Sequence, residues 1–255
     1  MFKRQLPINE IRFDPETETL DGMWNHRLNL IQPRNGYRYS VDAPLLVNFV
    51  KGRRAARALD LGCGCGIIGL MLLEKNKASH VVGVELQTEL AGLALRNATI
   101  NGLSEFFETH NVDLRTFGED CRDCFNLIVS NPPFYPKGSG ILSPSEQIAV
   151  AKHELQCEIN DIGRTAVRCL KSGGHLALIY PAERLSDILL MFEKSKLFPT
   201  RLCMVHSRED SPAVLVLAEA RKGKGKPLTV EGPFILYGPD GAYTERARRV
   251  WDGED

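Results

Sequence analysis

The sequence predicts an α/β protein with a mostly parallel sheet, one antiparallel strand and helices on both faces. From residue 57 onward, short apolar runs alternate with longer amphipathic stretches, which is the pattern of repeated strand–helix units. A glycine-rich segment at 62–66 separates the first run from the helix after it. The last two runs are joined only by residues 206–212, which are too few for a helical crossover. We therefore expect these two strands to form an antiparallel hairpin.

The alternation assigns each element of the sheet and its helices in turn. Apolar runs predict seven strands, at 58–61, 80–85, 105–112, 125–130, 175–180, 200–206 and 213–220. Longer stretches with helical periodicity predict four helices, at 67–76, 87–101, 145–170 and 182–194.

The two ends of the chain lie outside this alternation. Residues 1–50 are rich in turn residues and contain a possible hairpin near 28–32. Residues 223–255 carry two predicted elements, a strand at 234–237 and a helix at 244–251. We therefore predict three parts: an N-terminal covering segment of residues 1–50, a core of residues 51–222 and a C-terminal extension.

Composition excludes several classes of protein. Of the 255 residues 43% are hydrophobic and 25% charged, as in an ordinary globular protein. Lys plus Arg equals Asp plus Glu at 32 each, so the net charge identifies no polyanionic partner. No apolar run approaches 18 residues and the first residues lack the apolar stretch of a signal peptide, so we expect neither a signal peptide nor membrane association. Seven cysteines, an odd number, indicate free thiols in a cytoplasmic protein. Cys121 and Cys124 have no second pair with which to bind zinc, and we expect no metal.

The segment that follows the first strand has the residues of a small-ligand site. Gly62, Gly64 and Gly66 permit positive φ and a close approach of the backbone to a ligand. The following helix N-terminus adds N–H donors and a partial positive charge, which suit a carboxylate. Asp60 at the strand tip can accept from an ammonium group. Glu85 at the end of the next strand is placed to accept from both hydroxyls of a ribose.

Apolar and acidic residues next to these strand ends are suited to an adenine ring. Leu86 can cover one face of the ring, and Asp113, with Val112 close by, can accept from its amino group. A dinucleotide-binding protein is the competing interpretation, because residues 64–69 fit G-x-G-x-x-G and Glu85 lies 19 residues beyond Gly66. That interpretation puts the Asp60 carboxylate against a pyrophosphate and leaves Asp113 without a role.

A stiff loop follows the fourth strand. It reads Asn131-Pro132-Pro133-Phe134, and its two prolines end the strand because neither has a backbone N–H to donate. Open α/β sheets bind ligands at the carboxyl ends of their strands. Asn131 Oδ1 and the Pro132 carbonyl can accept the two N–H bonds of a planar amine, while Phe134 stacks on its face.

These motifs resemble those of a known superfamily. Asn-Pro-Pro-Phe is similar to the (Asn/Asp/Ser)-Pro-Pro-(Tyr/Phe/Trp) signature of S-adenosylmethionine-dependent amino methyltransferases, which also carry the glycine pattern and the two acidic residues in this order. The resemblance implies a class I methyltransferase fold and S-adenosylmethionine as cofactor. By the same resemblance Tyr39, Ser40 and Asp42 line the methionine end of the cofactor. Independently, Ser40 or Asp42 is expected to cap a helix that begins near residue 43.

The Asn131–Phe134 loop suits adenine, guanine or a glutamine amide equally, so it does not identify the group that receives the methyl. Residues elsewhere in the chain suggest which of these is the substrate. Residues 32–46, 206–208, 227–228 and 243–245, together with the motifs above, resemble the bacterial tRNA(Val) adenine N(6)-methyltransferase family, which modifies the adenosine just 3′ of the anticodon. The order Phe134-Tyr135 departs from the Tyr-Phe of that family, so either ring could meet the base.

The resemblance implies tRNA as partner, and the chain carries several candidate contacts for RNA. Basic residues could bind its phosphates: Arg34, Arg38, Arg208, the basic residues of 221–226, Arg246, Arg248 and Arg249. Each also fits a solvated surface. A ribosomal-RNA guanine methyltransferase, a protein glutamine methyltransferase and an inactive cofactor-binding subunit stay open, although residues 1–50 are short for the helical domain of a glutamine enzyme. Oligomeric state is left open.

Overall fold

An antiparallel hairpin and a helix precede the central sheet. The computed structural model describes residues 5–35, 38, 41–52, 56–119, 121–132 and 158–254. Strands β1 (Glu18–Met23) and β2 (Leu28–Pro33) form the hairpin, which confirms the one predicted near 28–32. Helix α1 (Asp42–Phe49) follows. A short 3₁₀ turn at Ile8–Glu10 lies before the hairpin.

The central sheet contains every strand predicted from the apolar runs. Its strands are β3 (Arg57–Leu61), β4 (His80–Glu85), β5 (Phe107–Asn111), β6 (Phe125–Ser130), β7 (Leu170–Pro181), β8 (Leu197–His206), β9 (Ala213–Lys222), β10 (Thr229–Val230) and β11 (Phe234–Ile235). The order across the sheet is β10-β8-β9-β7-β6-β3-β4-β5, and β11 also pairs with β8. Only β9 is antiparallel to its neighbours, because it returns from β8 through a short turn. The predicted sheet with one antiparallel strand is therefore confirmed.

Helices cover both faces of this sheet. They are α2 (Ile67–Glu74), α3 (Thr88–Ile100), α4 (Ile159–Cys169), α5 (Leu185–Lys194) and α6 (Glu245–Asp252), with a 3₁₀ turn at Ala182–Arg184. Two hydrophobic clusters, one on each face, form the core. One unites α1, α2, α3 and the hairpin with the sheet, and the other unites α4 and α5 with it. Seven consecutive residues of α2 are buried, so the helix lies between the sheet and the hairpin layer.

The boundaries differ from the prediction at a few places. The helix predicted at 145–170 ends at Cys169 and β7 begins at Leu170, while residues 145–157 lie outside the described residues. Strand β5 begins at residue 107 rather than 105, because residues 103–107 form a turn in which the Phe106 and Phe107 N–H groups donate to the Leu103 carbonyl. The sheet also gains β10, which was not predicted.

The two ends of the chain contact each other. Trp24 Nε1 donates to the Val250 carbonyl at 3.3 Å. Arg27 Nη2 and Lys75 Nζ both donate to the Gly253 carbonyl, at 2.6 and 2.7 Å. Gly253 ends α6 with a φ of 69°, and a Cβ there would lie 2.2 Å from Arg27 Nη2. The hairpin turn and α6 therefore form one layer beside α2.

The cysteines correct one expectation. Cys121 and Cys124 form a disulfide, whereas the odd cysteine count had indicated free thiols. Four further cysteines, Cys63, Cys65, Cys169 and Cys203, are free and buried. Within the described ranges no helix is both long and apolar enough to cross a bilayer. The same ranges contain no group of three or more His, Cys, Asp or Glu side chains that could hold a metal ion.

Candidate cofactor and acceptor site

The glycine loop turns tightly between β3 and α2. Gly62, Gly64 and Gly66 have φ values of 73°, 55° and 87°, in the left-handed region that glycine adopts without strain. Gly66 is the N-cap residue of α2, and a Cβ on it would lie 3.1 Å from Ala94 Cβ and 3.2 Å from the Phe107 ring. The predicted need for glycine therefore has two causes here, the sign of φ and the close packing of α3 and β5.

Asp60 is a buried carboxylate with an unused oxygen. It is fully buried, and its Oδ2 accepts from the Gly69 N–H at 3.1 Å. Its Oδ1 is buried and has no hydrogen-bond partner in the described part of the chain. Burial, opposed by the Gly69 bond and reinforced by the nearby Glu85, raises the pKa of Asp60 to about 7. A cation beside Oδ1 would restore the ionised form, so this carboxylate fits the ammonium group of S-adenosylmethionine.

Glu85 ends β4 and organises the loop around it. Its Oε2 accepts from the Gly64 N–H and its Oε1 from the Gln87 N–H, both at 2.9 Å. Sequence reasoning assigned this carboxylate to a ribose but missed its two backbone partners. Each carboxylate oxygen has a second lone pair, so two hydroxyl donors can still be accommodated. Glu85 thus joins the glycine loop to the start of α3 and keeps capacity for a ligand.

Apolar side chains are exposed beside these acidic residues. Leu86 follows β4 and is 41% exposed, and Val112 follows the edge strand β5 and is 38% exposed. Asn111 links the two strand ends, because its Nδ2 donates to the Glu85 and Leu86 carbonyls at 2.9 Å each. Two exposed aliphatic side chains on adjoining strand ends suit a flat apolar ring.

Asp113 is less available than the sequence suggested. Its carboxylate accepts from the Arg115 backbone N–H at 2.8 Å and from the Arg115 guanidinium, with the shortest distance 2.5 Å. The Arg115 side chain lowers the pKa of Asp113. Arg115 therefore competes with any adenine amino group for this carboxylate.

Asn131 and Pro132 follow β6 at the same edge of the sheet. The register pairs Leu61 with Ser130, and Ser130 Oγ donates to the Leu61 carbonyl at 2.8 Å. This bond joins the end of β6, just before Asn131, to the end of β3, just before the glycine loop. Asn131 Oδ1 is buried and, among the residues described, has no hydrogen-bond partner. Pro132 is buried as well.

Four other predicted site residues, Pro133, Phe134, Tyr39 and Ser40, lie outside the described residues. Asp42 is described and is the first residue of α1. The capping expectation for Asp42 is wrong, because Asp42 is itself helical and Val41 occupies the N-cap position, whereas Ser40, the other residue expected to cap, lies outside the described residues. Helix α1 packs against α2, the helix that the glycine loop opens.

Two buried asparagines that sequence reasoning missed connect α3 to the hairpin. Asn97 Nδ2 donates to the carbonyls of Ile31 and Cys65, both at 3.0 Å, and its Oδ1 accepts from the Ile31 N–H at 2.7 Å. Asn101 Nδ2 donates to the Asn29 carbonyl at 2.7 Å, and its Oδ1 accepts from the Asn29 N–H at 2.9 Å. The available signal was two asparagines four residues apart on the apolar stripe of a predicted helix, where asparagine is unfavourable.

The candidate RNA contacts differ in how freely they face solvent. Arg38 forms a 2.8 Å ion pair with Asp21 and is half-buried, and Arg34 donates to the Pro15 carbonyl at 2.7 Å. Arg208, Arg248 and Arg249 are exposed. The structure does not gather all of them on one surface element, since they belong to the hairpin, the β8–β9 turn and α6.

This sheet order, with the glycine loop after β3 and Asn131 after the neighbouring strand β6, is that of the class I methyltransferases, which use S-adenosylmethionine. Residues 40–191 match the model of the methyltransferase small domain family, which is more than half of the chain. The chain belongs to this family and is an S-adenosylmethionine-dependent methyltransferase.

Individual relatives confirm the resemblance drawn from the motifs. The tRNA1(Val) (adenine(37)-N6)-methyltransferase of Aeromonas hydrophila is 28% identical over 84% of this chain and 88% of its own length. The enzyme of the same name from Trichodesmium erythraeum is 29% identical over 82% of this chain and 89% of its own. Among solved structures, a predicted O-methyltransferase from Agrobacterium tumefaciens superposes with a TM-score of 0.67 at 25% identity, covering 83% of this chain and 96% of that one.

Proposed function

We propose that this protein transfers a methyl group from S-adenosylmethionine to the exocyclic amine of an adenine in the anticodon loop of tRNA. Relatives of that name cover most of the chain, which supports the substrate class. The observation that carries the proposal is the buried Asn131 Oδ1 without a hydrogen-bond partner in the described residues. A buried acceptor without a donor is costly, so such an atom is suited to receive an N–H from a substrate.

The acceptor amine is held by the loop after β6. Asn131 Oδ1 and the Pro132 carbonyl each accept one of its N–H bonds, which leaves the nitrogen lone pair directed away from the loop. These bonds favour a tetrahedral nitrogen and stabilise the positive charge that develops on it. Pro133 stiffens the loop and Phe134 stacks on the base in this proposal. No residue described around Asn131 is assigned as a general base, so the methylated amine releases its extra proton to water.

The cofactor lies along the neighbouring strand ends. When bound, S-adenosylmethionine supplies an electrophilic methyl group on a sulfonium. Asp60 accepts from its ammonium group, and the turn containing Gly62, Gly64 and Gly66 receives its carboxylate. Glu85 accepts from the ribose hydroxyls.

Around the rest of the cofactor, Leu86 and Val112 cover the adenine, whose amino group reaches Asp113 in competition with Arg115. Tyr39, Ser40 and Asp42 line the methionine end.

The remaining assignments concern the setting of the reaction. An anticodon loop is single-stranded, so its base can swing out without breaking a duplex. We place the reaction in the cytoplasm. Residues 51–222 are the catalytic core in this proposal, residues 1–50 cover the cofactor, and 223–255 extend the surface offered to RNA.

Methyl transfer to defined RNA tests the proposal. Labelled S-adenosylmethionine is incubated with a tRNA(Val) transcript and with a matched transcript whose adenine 3′ of the anticodon is replaced by guanine, and nucleosides are analysed. Label is expected as N(6)-methyladenosine in the first transcript alone. Parallel reactions contain ribosomal RNA or total protein in place of the transcripts. Label confined to these, with neither transcript modified, would keep the enzyme class and overturn the substrate.

A further inference from the structure

The glycine loop is held by two side chains from opposite sides. On one side the Glu85 carboxylate accepts from the Gly64 N–H at 2.9 Å. On the other side Asn97 Nδ2 donates to the Cys65 carbonyl at 3.0 Å. Two consecutive residues of the loop are therefore held in place, Gly64 through its N–H and Cys65 through its carbonyl. The Asn97 side chain is completely buried, so its bonds do not compete with water.

The same asparagine side chain reaches the hairpin. Asn97 exchanges two hydrogen bonds with the backbone of Ile31, donating at 3.0 Å and accepting at 2.7 Å. Both polar atoms of its amide are used, and one NH2 group bridges β2 and the glycine loop. A shift of the Cys65 carbonyl is therefore resisted by a strand that is itself paired with β1, in a hairpin whose turn contacts α6.

We propose that Asn97 is a positioning residue for methyl transfer, which keeps the glycine loop in its cofactor-binding shape by anchoring the Cys65 carbonyl to the hairpin. The inference rests on the proposed placing of the cofactor against residues 60–66. The Gly66 N–H donates to the Cys63 carbonyl at 2.9 Å, so the loop closes on itself, and the Cys65 carbonyl is the group by which α3 holds it.

Asn101 provides a matched comparison within the same helix region. It exchanges the same pair of hydrogen bonds with the Asn29 backbone, two residues earlier in β2. It also accepts from Gln5 Nε2 at 3.1 Å and donates to the Asn97 carbonyl at 2.7 Å. It makes no bond to the glycine loop. Substitution of either asparagine is expected to weaken the hairpin, while only substitution of Asn97 is expected to weaken cofactor binding.

The test compares Asn97→Ala with Asn101→Ala by calorimetric titration with S-adenosylhomocysteine and by steady-state methyl transfer. Both variants are expected to melt at lower temperature, because each leaves backbone groups of β2 without a partner. Asn97→Ala is expected to weaken binding at least tenfold and to raise KM for the cofactor, with kcat at saturation within threefold. Asn101→Ala is expected to bind within twofold of the unmodified protein. Equal affinities in the two variants would overturn the inference.

A measurement on the unmodified protein covers the case in which Asn97→Ala does not fold. In NMR titration with S-adenosylhomocysteine, the side-chain amide resonance of Asn97 is expected to shift while that of Asn101 does not. If S-adenosylhomocysteine binds and neither the Asn97 nor the Asn101 side-chain resonance shifts, the proposed role of Asn97 is overturned. Absence of any binding by the unmodified protein would instead overturn the proposed cofactor site, so the two failures are distinguishable.

Discussion

The glycine loop follows β3, and the loop that begins at Asn131 follows the neighbouring strand β6. The two loops differ in how many of their polar atoms have a hydrogen-bond partner. Glu85 and Asn97 hold the glycine loop through its own backbone groups. Asn131 Oδ1, by contrast, is buried and has no hydrogen-bond partner in the described part of the chain. We interpret the backbone of residues 62–66 as a cradle completed during folding, whereas Asp60 Oδ1 just before it and Asn131 Oδ1 are buried acceptors left for the cofactor and the substrate.

Removing the Asn131 amide should produce the largest effect and separate the two loops. Asn131→Ala is expected to lower kcat by about 100-fold or more, because an acceptor used at the reacting nitrogen is lost. Cofactor affinity should stay within twofold. Rapid-quench methyl transfer and calorimetry measure the two quantities.

Asn126→Ala is the control for this substitution, since Asn126 lies on the same strand and accepts from the Arg57 N–H at the opposite end of the sheet. A weakened cofactor affinity in Asn131→Ala, with kcat preserved, would contradict the division of labour between the loops.

A methyl group added at Gly66 tests whether the cradle is completed by folding. Gly66→Ala forces alanine to a φ of 87° and brings its Cβ to 3.1 Å from Ala94. We expect a loss of about 1–3 kcal/mol in the free energy of unfolding, together with weaker cofactor binding.

Gly92→Ala is the counterpart on α3, where a Cβ meets no atom within 4 Å. It should stabilise by about 0.5–1 kcal/mol, because alanine is the better helix former. Urea denaturation measures both variants. A Gly66→Ala protein as stable as Gly92→Ala would show that the turn tolerates a side chain.

The buried Asp60 carboxylate should make the cofactor side sensitive to pH. Burial raises the pKa of Asp60 from 3.8 to about 7, so the folded protein binds this proton more tightly than the unfolded chain. Its contribution to stability is therefore full below about pH 4 and is lost as pH rises toward 7. An ammonium ligand favours the ionised form, so affinity for S-adenosylhomocysteine should increase between about pH 6 and 8.

Asp60→Asn should abolish this rise in affinity and lower affinity at pH 8, while increasing the thermal stability of the ligand-free protein there. Calorimetry and thermal melts at pH 6, 7 and 8 measure both properties. A pH dependence that survives in Asp60→Asn would assign it to another group.

The pairing of Asp113 with Arg115 should have the smallest effect. Arg115→Ala frees the carboxylate, and the pKa of Asp113 should return toward its usual range because its main cause of lowering is removed. Cofactor affinity is expected to improve about twofold, whereas Asp113→Ala should weaken it by about threefold, the scale of a partly exposed hydrogen bond. Calorimetric titration of the two variants with S-adenosylhomocysteine measures both affinities. A loss of affinity in Arg115→Ala would contradict the expectation and would indicate that Arg115 itself contacts the cofactor.

Most of the sheet was predictable because its strands are buried on both faces. Strands such as β4 and β6 therefore appear as continuous apolar runs between turn residues. Strand β10 carried no such signal, since both its residues are exposed and its pairing with β8 depends on the tertiary fold. The left-handed Gly66 was likewise predictable, because only glycine suits that turn.

The hydrogen-bond partners of the site were less predictable than the positions of its residues. Glu85 and Asp113 follow strands, so their places at one edge of the sheet could be inferred from order alone. Their partners could not, since a donor such as the Gly64 N–H meets Glu85 only after two strands have paired in register. Asn97 and its partner Ile31 are 66 residues apart in the sequence, and a local sequence pattern cannot predict which distant residue a side chain will bond.

The asparagines of α3 have a further consequence for the behaviour of the protein in concentrated solution. Alternate residues of a strand rise about 6.7 Å and residues four apart in a helix rise about 6 Å, so Asn97 matches the backbone groups of Ile31 and Asn101 those of Asn29. An open strand edge is a template for pairing with another molecule. Side-chain amides cannot propagate a ladder, so the β2 edge of this hairpin is closed to intermolecular sheet growth and to the aggregation that such growth begins.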